Sequence, residues 1–151
     1  MAQDYYDILQ PFDYLDKLLD DNKATLGLAY IAKHDEDLIP SFPAILIQTD
    51  NTVREYHATR QYRVRFHIDI WVFHADMTSG VATRSRKDIE LATAIRKLIH
   101  TKPDMDGHII QSFVDGEFPG VTARIIGGNS SIIVTTRLTW QGQNRVQFEQ
   151  S

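Results

Sequence analysis

The stretch YRVRFHIDIWVFH, Tyr62 to His74, alternates apolar and polar residues almost without a break. Side chains of a strand point to opposite faces in turn, whereas a helix would scatter these apolar positions around its circumference. The stretch is therefore expected to be a strand, with Tyr62, Val64, Phe66, Ile68, Ile70 and Val72 on one face. Burying each of these is worth about 1.5–3 kcal/mol, so slipping the strand by one residue would be heavily penalised. The opposite face carries Arg63, Arg65, His67 and Asp69, then Trp71 and Phe73. An aromatic end on an otherwise charged face calls for a cover, either the N-terminal helix or another protein.

The other segments supply the rest of a single domain. Ile8, Phe12, Leu15 and Leu19 recur at helical spacing, and Pro11 suits a first helical turn, so a helix is expected from near Pro11 to Asp20. Leu26 to Ala32 and Ala44 to Thr49 read as strands, and Asp50 to Arg60 as a polar loop leading into the long strand. Ser85-Arg86-Lys87-Asp88 has the form of a capping box opening a helix with Leu91, Ile95, Leu98 and Ile99 on one side. His108 to Val114, Val121 to Ile126 and Ile132 to Trp140 read as strands, the last two joined through Gly127 to Ser131. Residues 141–151 read as a polar C-terminal tail. The expected class is α+β: an antiparallel or mixed β-sheet packed with an N-terminal and a central α-helix on one side.

Chemistry is sparse. The 151 residues include no cysteine, which removes disulfides, thiolate metal sites and a cysteine nucleophile. A formal net charge of -4 argues against a dedicated nucleic-acid binder, and the N-terminus has neither a basic n-region nor an apolar run. His34 to Asp37 offers oxygen ligands, but not at EF-hand spacing, and reads as a solvated acidic loop. His67 and Asp69 share a strand face and are of the right types to orient a base, yet no nucleophile elbow or phosphate loop accompanies them. No catalytic residue, metal or cofactor is therefore assigned. Arg54, Glu55, Arg84, Arg86 and Lys87 are assigned to loops that reach a partner, and Trp71, Phe73, Ile126 and Ile133 to the face opposite the core.

Taken together, the N-terminal amphipathic helix, FPAILIQ at Phe42 to Gln48, the strand ending in IWVFH, the helix IELATAIRKLI and the closing RLTWQG at Arg137 to Gly142 resemble a known family. It is the tail terminator, or tail-completion, family of long-tailed phages, with the related tail-to-head joining proteins. The resemblance covers nearly the whole chain and lies in the pattern and order of elements. It implies a structural, non-enzymatic virion protein at the tail–head junction, made in the bacterial cytoplasm and without a membrane role. It further implies a hexameric homo-oligomeric ring that caps the major tail tube protein, ends tube polymerisation, meets a head-side neck or connector protein and lets DNA pass through its lumen. Arg63, Arg65, His67, Asp69, Trp71 and Phe73 then become candidate ring-interface or lumen residues. Two alternatives stay open, another neck component and a small soluble ligand-binding domain or enzyme with a deep pocket at His67 and Asp69.

Overall fold

A computed structural model describes residues 5–33, 41–74, 81–126 and 129–147. In chain order these form α1 (Leu9–Asp21), α2 (Lys23–Leu26), β1 (Tyr30–Lys33), β2 (Ala44–Ala58), β3 (Gln61–His74), α3 (Val81–Ile99), β4 (Gln111–Ile126) and β5 (Asn129–Gln147). The strands make one five-stranded sheet in the order β1-β2-β3-β5-β4, with β1 parallel to β2 and every other pair antiparallel. The fold is therefore α+β with a mixed sheet. His34 to Ile39, Gly127 and Gly128, and residues 148–151 lie outside the described residues.

β3 alternates as its sequence requires: Tyr62, Val64, Phe66, Ile68, Ile70 and Val72 are buried between partly buried neighbours. Facing them are Phe12, Leu15 and Leu19 of α1 and Leu91, Ala92, Ile95 and Ile99 of α3, so both long helices lie on the same side of the sheet. Leu138, Trp140 and Val146 of β5 extend this core toward the β4 edge.

α1 begins at Leu9, two residues before Pro11. The side-chain oxygen of Gln10 accepts hydrogen bonds from the backbone N–H groups of Tyr6 (2.8 Å) and Asp7 (2.9 Å), fixing the turn that leads into the helix. Pro11 sits in the first turn, where its missing N–H leaves no gap in the helical ladder. The expected strand from Leu26 is shorter than its sequence suggests. Gly27, at φ 72°, ends the short helix α2 in a left-handed cap, and β1 starts only at Tyr30.

Three further boundaries differ for one reason, continued pairing with a long neighbour. The expected polar loop after Thr49 is strand: β2 stays paired with β3 to Ala58, and Asp50 and Asn51 fall in a register shift between Thr49 and Thr52. Arg54 and Glu55 are therefore strand residues. β4 runs unbroken through Gly116, Pro119 and Gly120 rather than forming two strands, because as an edge strand it needs no second set of backbone partners. The expected polar tail is strand as far as Gln147, with Gln141, Gln143 and Arg145 alternating with buried Gly142, Asn144 and Val146. Finally, α3 starts at Val81, so Ser85 to Asp88 lie inside the helix and Arg84, Arg86 and Lys87 are helical rather than in a loop.

Gly142 is needed for close packing. A Cβ there would fall on the Trp140 indole and approach Ile109 Cδ1 to 3.2 Å. Gly142→Ala is expected to lower stability by about 1–3 kcal/mol through overpacking. Urea denaturation measures this, and an unchanged midpoint would show that Trp140 can move aside.

Candidate functional site: the outer face of the sheet

With both long helices on one side, the odd-numbered residues of β3 build the other face. Pairing aligns Arg63 with Arg145, Arg65 with Gln143, His67 with Gln141, Asp69 with Thr139, Trp71 with Arg137 and Phe73 with Thr135. The face divides into an apolar end, a central cleft and a basic end.

At the apolar end, Ala32, Ala44, Leu46, Phe73 and Ile133 form a second buried cluster, with Tyr30, Phe42 and Trp71 packed against it. Trp71 stacks on Phe73 with ring centroids 6.5 Å apart. The Arg137 guanidinium lies over both Trp71 (5.6 Å) and Phe118 (4.8 Å), an arrangement in which a cation meets the negative faces of two rings. Among the described residues the Trp71 Nε1–H has no hydrogen-bond partner, and Phe118 remains 51% exposed. The expected placement of Phe73 and Ile133 opposite the main core holds; the Ile126 side chain is outside what is described.

The central cleft, about 350 Å³, is open to solvent and lined by Asp50, His67, Asp69, Asp115, Arg137 and Thr139 among others. Burial, reinforced by Asp50, raises the proton affinity of Asp69, while Arg137 and His67 oppose the shift. Asp115 accepts a hydrogen bond from the Thr139 hydroxyl at 2.5 Å. No hydrogen bond joins His67 to Asp69, so the carboxylate does not hold the imidazole in one tautomer. Among the described residues no group of three or more His, Asp or Glu side chains is placed to hold a metal ion.

The other candidate residues do not gather at one place. Arg54 points to the helix side, donating to the Tyr6 carbonyl (2.9 Å) and lying 3.6 Å from Asp7. Glu55 is on the outer face, 3.5 Å from Arg65. Arg84 is buried, Arg86 pairs with Glu90 one turn along α3, and Lys87 is exposed.

Two polar sites escaped the sequence because they join residues distant along the chain. His74 Nδ1 lies 2.7 Å from Asp88 Oδ1, and the Thr136 hydroxyl donates to Asp88 Oδ2 at 2.8 Å. Asp88 is nearly fully buried; burial raises its proton affinity, and the bonds to His74 and Thr136 oppose this. The hydroxyl proton is directed at the carboxylate rather than at the imidazole, so this is a clamp between α3, β3 and β5 and not an activated nucleophile. The second site is His100, whose Nε2 accepts from the Val114 N–H at 2.9 Å, beside the register shift between Val114 and Gly116. That bond supports the bulge from which Asp115 enters the cleft.

No model of a known protein family matches the sequence, and a search among curated proteins likewise finds no match.

Asp88→Ala is expected to cost about 2–4 kcal/mol, since it strands a buried hydroxyl and an imidazole, and Thr136→Val about 1 kcal/mol. Chemical denaturation of both variants tests the ranking; equal losses would contradict it. Burial, then the neighbouring Arg96, lowers the His100 affinity for a proton from its ordinary 6.5, with Glu117 acting in the opposite sense. The folded chain thus binds fewer protons at His100 than the unfolded chain does. The corresponding stability is complete above pH 6.5 and is lost as pH falls through the folded value. His100→Gln keeps an acceptor for Val114 without titrating, so its urea midpoint should fall less than that of the wild type between about pH 7.5 and 5. Parallel curves would rule this out.

Proposed function

We propose that the protein is a tail terminator or tail-completion protein of a long-tailed phage, acting as a ring subunit that caps the tail tube and receives the head-side neck. The observation that carries this reading is the Trp71–Arg137–Phe118 stack, placed on the sheet face opposite both long helices and left half open at Phe118. Aromatic and arginine side chains in such a setting are the types that dominate protein interfaces.

A closed ring needs two different patches per subunit, because each copy meets the next head to tail. The outer sheet face supplies one, and the exposed side of the helical layer is available as the other. Arg63, Arg65, His67 and Asp69 then face a neighbour or the lumen, where a face of mixed sign contacts passing DNA without gripping it. The protein acts by binding and geometry, with no reaction step. A second reading, a small ligand-binding domain, draws on the cleft at His67 and Asp69. Its mark would be a protein that stays monomeric beside tail tubes and binds a small molecule saturably.

Mixing the purified protein with tube protein from the same virion and imaging by negative stain tests the proposal. Rings seated on tube ends, and tubes that stop growing, are expected. The double variant Trp71→Ala, Arg137→Glu should lose the rings; tubes capped equally well by that variant, or no capping by the wild type, would overturn the reading.

A further inference from the structure

The basic end of the outer face carries a pairing that a merely structural surface would avoid. Arg63 and Arg145 lie directly opposite each other on β3 and β5, where side chains start only about 4.5–5.5 Å apart and like charges destabilise the pair. Glu55 is opposite Arg63 on the other flank, but its carboxylate turns diagonally to Arg65 at 3.5 Å. Among the described residues neither the Arg63 nor the Arg145 guanidinium has a carboxylate partner. Between them opens a cleft of about 270 Å³, lined also by Gln111, Gln143, Asn144 and Ile110.

We infer that this cleft binds a single carboxylate presented by a protein partner. Two guanidinium forks offer several parallel N–H donors to one planar anion, and the amides of Gln111 and Gln143 add donors beside them. Ile110, 55% exposed, gives an apolar wall for the methylene stem of the incoming side chain. The rest of the face selects against a nucleic acid. A phosphate backbone running across the sheet from this cleft would meet the carboxylates of Asp50, Asp69 and Asp115, whereas one isolated carboxylate would not. The inference stands on this pairing alone and is independent of what assembly presents the carboxylate.

The test uses the full chain at low ionic strength, with arginine and glutamine side-chain resonances followed by NMR. N-acetylglutamate amide is the probe, N-acetylglutamine amide the uncharged control and a single-stranded oligodeoxythymidine the polyanion. Saturable shifts at Arg63, Arg145, Gln111 and Gln143 are expected with the glutamate probe only. Arg145→Gln and, separately, Arg63→Gln should weaken that binding by about tenfold or more. Because each substitution relieves like-charge repulsion, neither should lower the melting temperature. Equal shifts with the uncharged control, absence of saturation, or a fall in melting temperature with binding unchanged would overturn the inference. Tighter binding of the oligonucleotide at the same residues would reassign the partner as nucleic acid. All of these failures would leave the Trp71–Arg137–Phe118 interface, and the ring reading that rests on it, intact.

Discussion

The structure depends on β3 being hydrogen-bonded along both edges at once. β2 and β5 pair with it over nearly its whole length, and its even-numbered side chains are sealed beneath α1 and α3. A one-residue shift of register would bring Arg63, Arg65 and Asp69 under the helices, where an unpaired charge costs far more than any surface contact returns. This fixes the identity of the outer face as firmly as that of the core. The Arg63–Arg145 opposition, the acidic cleft and the stacked Arg137 are consequences of one register.

The central strand and the helical residues of α1 and α3 could be read from periodicity. What could not be read were the lengths of β2, β4 and β5. Asp50-Asn51, Gly116, Pro119 and the glutamines after Trp140 carry local signals for turns or tails, and those signals are correct for an isolated segment. They lose to the backbone pairing that a long adjacent strand offers, with bulges absorbing the misfit at Asp50 and Asp115. The Ser85–Asp88 pattern failed differently: Asp88 is held by His74 and Thr136 across the layer, so it is not available to cap its own helix.

Of the candidate site, the face and its charged and aromatic members were legible, because period two assigns every odd residue of β3 to one side. Their grouping was not. Arg137, Phe118, Arg145 and Asp115 come from β4 and β5, and only the register of those strands places them beside Trp71, Arg63 and Asp69. The loops assigned to a partner dissolve into strand and helix, with Arg54 and Glu55 turning to opposite sides of β2.

The free edge of β4 has a further consequence. A long unpaired strand normally invites another chain to extend the sheet, the route by which many β-proteins stick together indiscriminately. Here the bulge at Asp115 and the imino nitrogen of Pro119 interrupt the row of backbone donors that such growth would need. Under the proposed ring reading, contact with a neighbour then falls to side chains on the flat of the sheet, where shape and charge discriminate. The main chain, which cannot tell one visitor from another, is kept out of the transaction.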